Sequence, residues 1–500
     1  MKQKAILALD QGTTGTTCLV LDARARVIGR AYSEFDQHYP QPGWVEHDAA
    51  QIWAVTQRVM REAIAGVPDY DIVGLGITNQ RETVVVWDRA TGEPVHRAIV
   101  WQDRRTTALC RDLKNAGKEA WVRQKTGLVL DPYFSGTKLQ WLLEHVPGLR
   151  ERADTGDLAA GTIDAWLVYK LTDGRVHATD HTNASRTLLY DINRLAWDDE
   201  LLSLFTVPRV LLPEVRPSSG DFGETTVESI GIRVPIAGIA GDQQAALFGQ
   251  RCCGAGQGKN TYGTGAFLLL NTGNERVESK HGLLATIACG PRGEPSYALE
   301  GSIFIAGAAI QWLRDEMRII ERANETEQIA RSLASNDGVY LVPAFVGLGA
   351  PHWEPDARGA IYGLTRGSGR AQVVRAALEA MAFATADVLR AMEEDASIRA
   401  VELAVDGGAA QNDWLMQFQA DILGIPVNRS ANVETTAQGA GGLAGIATGI
   451  WTDVNDFYES RDPGTTFTPS MGETQRAELI RGWQRAVRAT LAWAHDRVSA

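Results

Sequence analysis

Long apolar runs and net positive charge are both missing from this 500-residue chain. No stretch of about 18 uncharged apolar residues occurs, so we expect no transmembrane helix. The apolar run near the N-terminus ends at Asp10, which makes it too short for a secretory signal. The formal net charge is -12. A negative field repels polyanions, which argues against nucleic acid or an acidic membrane as a partner.

Cysteine is scarce as well. The five cysteines are few and odd in number for a disulfide framework. Neither the paired Cys-x-x-Cys motifs nor the histidine spacing of a zinc site is present. This usage fits reduced thiols, so the sequence predicts a cytoplasmic protein.

The sequence also lacks a Walker A phosphate-binding loop. Residues 254–259 come nearest, but their glycine spacing is wrong, and Asn260 follows where Ser or Thr is required. Because the overall charge repels a polyphosphate, a bound nucleotide would have to be held by backbone donors, a few cations and Mg2+.

Residues 10–17 form the most informative motif that is present. They lie between apolar runs at residues 5–9 and 18–21, which predicts a strand, a tight turn and a second strand. The carboxylate of Asp10 can hold Mg2+ or its waters, and small residues let backbone N–H groups approach a phosphate. Taken alone, the motif fits an ordinary turn equally well.

Two further glycine clusters favour the phosphate interpretation. Residues 259–270 repeat the strand, glycine turn and strand pattern. Residues 404–412 indicate a buried strand that ends in a turn opening a helix, where nucleotides often bind. Three such sites are hard to explain as isolated turns.

The chain as a whole predicts an α/β protein with two halves, each opening with a glycine-turn hairpin, and a ligand-binding cleft between them. We place the boundary between residues 249 and 250, giving domains 1–249 and 250–500. The Gly/Ala-rich residues 438–445 fit a closely packed helix better than a membrane face. Predicted strands lie at 71–78, 83–87 and 235–242, and predicted helices at 48–65, 137–145, 305–317, 371–394, 412–423 and 436–447.

Several motifs resemble the FGGY family of carbohydrate kinases. Residues 133–145 and 359–379 resemble its two signatures, and the resemblance covers nearly the whole chain. Residues 42–47, 77–83, 100–105 and 241–249 resemble the glycerol kinases within it. The resemblance implies two actin-like (ribonuclease H-like) ATPase domains flanking a deep cleft. It also implies ATP-dependent phosphorylation of glycerol to sn-glycerol 3-phosphate and ADP, in glycerol catabolism.

Asp242 is the predicted general base, since it ends a strand at the cleft and matches the catalytic Asp of glycerol kinases. A structural alternative is that Asp242 only caps the helix that follows. The resemblance also implies that Asp10 and Asp242 hold Mg2+ and that Gln243 reaches the metal, phosphate or substrate. The implied ATP contacts are Gly12, Thr13, Thr14, Gly263, Thr264 and Gly265, with Gln311, Gly408 and Asn412 near the nucleotide.

Glycerol needs charged hydrogen-bond partners at one end and apolar walls along its carbons. Arg81 and Glu82 would supply the partners, Trp101 and Phe267 the walls, and Tyr133 a phenolic hydrogen bond. Read alone, adjacent Arg and Glu fit a solvated surface pair, and each aromatic fits core packing. The resemblance favours the substrate site, and the large aromatics disfavour five- and six-carbon sugars.

The sequence departs from the resemblance at two places. Thr17 stands where glycerol kinases often have Arg, which removes a cation near the polyphosphate. Residues 231–233 resemble part of a loop that binds fructose 1,6-bisphosphate in some bacterial members, but Glu228 and Ile230 stand where glycines are often found. Inhibition by fructose 1,6-bisphosphate is therefore left open.

Two alternative functions remain at this point. One is an FGGY kinase for another polyol or a ketopentose. The other is a non-kinase actin-like ATPase, such as a chaperone or filament, which would turn over ATP without an acceptor. A homodimer or homotetramer is expected from the resemblance alone.

Overall fold

Two sheets with related strand order organise the chain, whose computed structural model describes residues 2–432 and 434–496. The strands of the first half are β1 (Gln3–Gln11), β2 (Gly15–Asp22), β3 (Val27–Glu34), β4 (Gln37–His38), β5 (Glu46–His47), β6 (Tyr70–Asn79), β7 (Val84–Asp88), β8 (Ala98–Ile99), β9 (Leu158–Thr162), β10 (Ala178–Asp180), β11 (Tyr190–Asp191), β12 (Ala196–Trp197), β13 (Glu214–Arg216) and β14 (Ile236–Gly241). Its helices are α1 (Ala49–Ala65), α2 (Thr107–Asn115), α3 (Glu119–Thr126), α4 (Ser135–His145), α5 (Leu149–Asp154), α6 (Ile163–Leu171), α7 (His181–Ala184), α8 (Asp199–Leu204), α9 (Val227–Ile230) and α10 (Asp242–Gly249), with a 3-10 turn at Arg209–Leu211.

The second half begins with a new hairpin, as predicted. Its strands are β15 (Gln257–Tyr262), β16 (Ala266–Gly273), β17 (Leu284–Cys289), β18 (Pro295–Ile303), β19 (Tyr340–Val342), β20 (Ala360–Tyr362), β21 (Glu402–Gly407), β22 (Val427–Arg429) and β23 (Thr465–Phe467). Its helices are α11 (Gly307–Asp315), α12 (Glu325–Arg331), α13 (Arg370–Ala396), α14 (Asp413–Leu423), α15 (Thr435–Ala447), α16 (Val454–Glu459) and α17 (Glu473–His495), with a 3-10 turn at Gly408–Gln411.

The same topology occurs in both halves. In the first, the order is β14-β6-β1-β2-β3, with β1, β2 and β3 antiparallel and β6 and β14 parallel to β1. In the second, β22-β21-β15-β16-β18 repeats this order and these directions, and β17 and β23 extend the sheet at its two edges. The predicted duplicated architecture is confirmed.

The predicted helices form where local signals favour them. Before α1, the Asp48 side chain accepts hydrogen bonds from the backbone N–H groups of Ala50 and Gln51, which caps the helix. Ile52, Val59 and other buried residues at helical spacing then pack α1 against the first sheet. The remaining predicted helices coincide with α4, α11, α13, α14 and α15 within a few residues.

The glycine-rich helix α15 crosses from the second half and packs on β6, β14 and α10 of the first. A Cβ on Gly439 would lie 1.9 Å from the Ala245 carbonyl oxygen, and one on Gly76 would lie 2.1 Å from that of Ala440. Only glycine permits such close backbone approach, so the prediction of a closely packed helix is confirmed. Within the described residues, no helix has the length and apolarity needed to cross a membrane.

The β17–β18 hairpin of the second half docks on the first half. The Ala285 N–H donates to the Gly127 carbonyl at 3.0 Å, and the Tyr297 hydroxyl donates to the Ile192 carbonyl at 2.8 Å. A Cβ on Gly127 would lie 2.3 Å from the Ala285 carbonyl oxygen. This contact carries the β18 residue Glu300 against side chains of the first half.

Candidate active site

The parallel strands β1, β6 and β14 end level with one another. Gln11 is in register with Asn79, and Asn79 with Gly241. The residues that follow the three strand ends are therefore neighbours, as is general at the carboxyl edge of a parallel sheet. These are the turn at Gly12, the pair Arg81 and Glu82, and Asp242 at the start of α10.

Arg81 is fully buried among protein acceptors. Its Nη1 donates to Glu300 Oε2 at 2.7 Å and to Gln244 Oε1 at 3.2 Å, and its Nη2 donates to Glu300 Oε1 at 3.3 Å. Its Nε lies 3.2 Å from Asp242 Oδ1. Arg81 thus links the predicted base to a carboxylate from the second half, and the surface-pair alternative is wrong.

Glu82 is buried and has a left-handed backbone with φ of 62°. A non-glycine residue in this region carries strain that the surrounding contacts must offset. Here the offset comes from Arg186, whose Nε donates to Glu82 Oε1 at 2.7 Å and whose Nη2 donates to Glu300 Oε1 at 2.9 Å. Burial raises the pKa of Glu82, while Arg81 and Arg186 act to lower it.

Asp242 is the first residue of α10, and Gly241 is the N-cap. The carboxylate accepts a bond from the N–H of Gln243 at 2.7 Å, but it makes no capping bond deeper in the helix. The alternative that Asp242 is only a helix cap therefore has no support in this geometry. Burial raises the pKa of Asp242, partly offset by Arg81, and about a third of the side chain (33%) is exposed.

Asp10 shares the electrostatic environment of Asp242. Burial, together with the carboxylates of Asp242 and Glu434, raises the pKa of Asp10 to about 7. Within residues 2–432 and 434–496, no group donates a hydrogen bond to the Asp10 carboxylate. Two neighbouring carboxylates, one of them without a hydrogen-bond donor among the described residues, are suited to a divalent ion.

The first glycine turn, at residues 12–15, is bonded directly to Trp101. Trp101 Nε1 donates to Thr13 Oγ1 at 2.9 Å, and the Trp101 and Tyr133 rings meet edge to face with centroids 5.5 Å apart. The Gly12 N–H donates to the Gly15 carbonyl at 2.9 Å, which closes the turn, and Thr14 is exposed beside it. Trp101 and Tyr133 are both half-buried, so neither is only a core residue.

The second turn mirrors the first. The Gly263 N–H donates to the Gly265 carbonyl at 2.8 Å, and the Thr264 carbonyl accepts from Ala306 and Ala308 at the start of α11. A Cβ on Gly265 would lie 2.4 Å from the carbonyl oxygen of Ile303, so this position requires glycine. Phe267 follows on β16, half-buried, on the same face as Lys259 and Glu300.

The three predicted nucleotide residues lie on α11, in the 3-10 turn after β21 and at the start of α14. Gln311 is exposed on α11, and Gly408 is exposed in the 3-10 turn after β21. Asn412 caps α14 by accepting from the Leu415 N–H at 2.9 Å, and it donates to Thr326 at 3.3 Å. The adenosine roles of these residues stay predictions, and they are carried forward as proposals.

Sequence reasoning missed four polar residues of this site. Arg186, Gln244 and Glu300 bond the Arg81–Glu82 pair, while Lys259 donates to Gln243 Oε1 and to Thr261 Oγ1. Burial acts to raise the pKa of Glu300, but Arg186 and Arg81 outweigh it and lower this pKa to about 2. A single charged residue inside an otherwise uncharged strand, as Glu300 is in β18, was the available signal.

Comparison with known proteins gives a consistent picture. The N-terminal domain of the FGGY family of carbohydrate kinases matches residues 5–249, and its C-terminal domain matches residues 258–448. The chain belongs to this family. Within this kinase family, it is 56% identical to a glycerol kinase from Halorhodospira halophila, covering 99% of this chain and 98% of the relative. It is 54% identical to one from Shewanella woodyi, covering 98% and 100%.

A solved structure of Plasmodium falciparum glycerol kinase with ADP has a TM-score of 0.94 to this kinase, at 37% identity, covering 98% of each chain. A ligand-bound xylulose kinase from Lactobacillus acidophilus has a TM-score of 0.88 at 21% identity, covering 99% of each chain, which shows the shared fold alone. The predicted two-domain α/β fold is confirmed.

Proposed function

We propose that this protein transfers the γ-phosphoryl group of ATP to a terminal hydroxyl of glycerol, yielding sn-glycerol 3-phosphate and ADP. The observation that carries the proposal is the convergence of Arg81, Glu82 and Asp242 at the strand ends that also carry the first glycine turn, to which Trp101 is bonded. The relatives named glycerol kinase, which match over nearly their full length, support the same acceptor.

In this mechanism, Asp242 accepts the proton of the acceptor hydroxyl as that oxygen bonds to the γ-phosphorus. The bond from the γ-phosphorus to the bridging oxygen breaks, and ADP leaves. Burial raises the pKa of Asp242, which brings this pKa nearer to the pKa of an efficient general base at neutral pH. Arg81 Nε lies beside the carboxylate and orients it.

Glycerol would lie against Trp101, Tyr133 and Phe267, with its other hydroxyls on Arg81 and Glu82. Enclosure by these aromatics and by the closing domains would exclude water, which otherwise competes as acceptor. Gln243, whose Oε1 accepts from Lys259, would contact glycerol or the transferring phosphate.

The β- and γ-phosphates would be held by Gly12, Thr13 and Thr14 on one side and by Gly263, Thr264 and Gly265 on the other. Asp10 and Asp242 would hold Mg2+, which neutralises phosphate charge when bound. No group of three metal-ligating side chains occurs in the described part of the chain. Two carboxylates nonetheless suit Mg2+, which takes its remaining ligands from phosphate and water. Gln311, Gly408 and Asn412 would contact the adenosine.

The domain assignment follows from these roles. Residues 1–249 would bind glycerol and phosphate, and residues 250–500 would bind the nucleotide while contributing Phe267 to the glycerol site. From the resemblance alone, we propose a cytoplasmic homodimer or homotetramer. Fructose 1,6-bisphosphate is a candidate inhibitor through Gly231 and the exposed Arg233, which ADP-release assays with added bisphosphate would test.

The deciding experiment measures ADP release from Mg-ATP with and without glycerol. The wild-type protein, Asp242→Asn and Asp112→Asn are compared, the last being a control at an exposed helical aspartate. We expect glycerol-dependent release that is lost in Asp242→Asn and kept in Asp112→Asn. Release without glycerol would favour a non-kinase ATPase, and release only with a pentose or another polyol would favour a different acceptor.

A further inference from the structure

A network of six charged residues balances the charge of the acceptor site. Three cations, Arg81, Arg186 and Lys259, lie among three carboxylates, Glu82, Asp242 and Glu300. Glu300 occupies the centre, because it bonds both guanidinium groups. Each of the six acts electrostatically on several of the others in a largely buried region, so loss of one charge is poorly screened there.

The same bonds consume nearly all the donors of Arg81. Its guanidinium has five N–H groups. Glu300 takes two and Gln244 takes one, while Nε lies 3.2 Å from Asp242 Oδ1 in an ion pair, so one Nη2–H is left without an acceptor among the described residues. On Glu82, Oε1 accepts from Arg186, and Oε2 has no donor among the described residues. On Arg81 and Glu82 themselves, one donor beside one acceptor remains for a ligand, while the buried Arg186 Nη1 also has no partner among the described residues.

This polarity suits a pair of neighbouring hydroxyls, each of which can donate and accept. It suits a carboxylate less well, because a carboxylate binds most strongly to two parallel donors from one guanidinium. Arg81 would offer such a fork if it were free, but the fork already faces Glu300.

Building on the proposed function, we infer that Glu300 and Arg186 are specificity-determining positioning residues that make the acceptor site select an uncharged diol over a three-carbon acid. Glu300 occupies the Arg81 fork and cancels its charge, and Arg186 fixes Glu82 so that Oε2 faces the substrate. In this proposal, neither Glu300 nor Arg186 contacts glycerol.

The test compares the KM for glycerol with the inhibition constant of glycerate, the matching three-carbon acid, in the ADP-release assay at saturating Mg-ATP. Glu300→Gln keeps the shape but removes the charge. We expect a higher KM for glycerol and tighter glycerate inhibition. The selectivity, defined as the inhibition constant of glycerate divided by the KM for glycerol, should therefore fall by at least about tenfold. Arg186→Gln removes a positive charge and should weaken glycerate inhibition, which is the opposite direction.

Two variants separate this role from a purely structural one. Glu300→Asp keeps the charge and should keep the selectivity, even where affinity falls. Glu379→Gln alters another buried carboxylate, paired with Arg375 at 2.7 Å and outside the site, and should leave selectivity unchanged. Thermal midpoints of all these variants are measured as well, so that a general loss of stability can be told from a change in selectivity.

Selectivity that stays within about twofold in Glu300→Gln, or that shifts in the same direction in Arg186→Gln, would overturn the inference. If Glu300→Gln gives no soluble protein, the opposite shift in Arg186→Gln still decides it. Wild-type protein that releases no ADP with glycerol would instead contradict the proposed function, so the two failures are distinguishable.

Discussion

The hydrogen bond from Trp101 to Thr13 makes a specific energetic prediction. It joins the proposed glycerol wall to the proposed phosphate turn through a 2.9 Å contact. When Thr13 Oγ accepts from Trp101, its own O–H is turned away from the indole and is free to donate to a phosphate oxygen. Trp101→Phe removes the donor but keeps an aromatic wall, so the Thr13 hydroxyl loses its fixed orientation.

The magnitude follows from one hydrogen bond between neutral groups. Such a bond contributes about 1 kcal/mol, which corresponds to about a fivefold change in kcat/KM for ATP. The assay is a double-mutant cycle of Trp101→Phe and Thr13→Val, with kcat/KM measured for both substrates. We expect the double variant to lose about 1 kcal/mol less transition-state stabilisation than the two single losses added together.

Thr14 provides the matched control. It belongs to the same turn and is an exposed residue, and among the described residues its side chain makes no hydrogen bond to Trp101. The cycle of Trp101→Phe with Thr14→Val should therefore be additive. Additivity within about 0.4 kcal/mol in the Thr13 cycle, or equal coupling in both cycles, would refute the reasoning.

Three further predictions address packing, pH and nucleotide affinity. Gly439→Ala should lower the thermal midpoint, because its Cβ would lie 1.9 Å from the Ala245 carbonyl oxygen and overpacking costs about 1–3 kcal/mol. Gly472→Ala, which has open space around its Cβ position, should leave the midpoint unchanged. Equal midpoints for the two variants would contradict this prediction. Burial and a neighbouring carboxylate raise the pKa of Asp164 to about 7. The folded state therefore holds a proton that the unfolded state releases between about pH 4 and 7, and stability should fall as pH rises through that window, by at most about 4 kcal/mol. Because Asp10 has a similarly raised pKa, the thermal midpoints of Asp164→Asn should show a smaller fall than those of the wild type, and parallel pH profiles would argue against the prediction. Thr17→Arg should tighten ATP binding by up to about tenfold, measured as a Kd by calorimetry, and unchanged or weaker binding would disprove the idea.

Most of the fold could be predicted because its signals are local. The two glycine turns, each between apolar runs, mark the hairpins β1–β2 and β15–β16, and the strands ending at Gly241 and Gly407 mark the later parallel strands. What the sequence pattern did not indicate was the crossing of α15 into the first half. Its small residues predicted close packing, but they did not identify β6 and α10 as the partners.

The site divides in the same way. Asp242 is indicated by its position at the end of a predicted strand, whereas Arg81 is indicated only by the resemblance, because an adjacent Arg and Glu read alone fit the surface. Glu300 and Arg186 are distant in sequence and lie within regular or apolar segments, so only tertiary packing shows that they share one ion network. Their identification depended on the docking of β17–β18 against the first half, which no local pattern encodes.

The ion network also limits which groups could attract ATP to a chain with a net charge of -12. The buried cations of the site are already engaged: Arg81 and Arg186 by carboxylates, and Lys259 by Gln243 and Thr261. Few of their donors remain for a polyphosphate. The attraction must then come from backbone N–H groups of the two turns and from Mg2+. On this reasoning, ATP affinity should depend steeply on the magnesium concentration. Thr17 is in register with Asp10, so an Arg at position 17 would add a cation of the chain itself to the attraction for ATP.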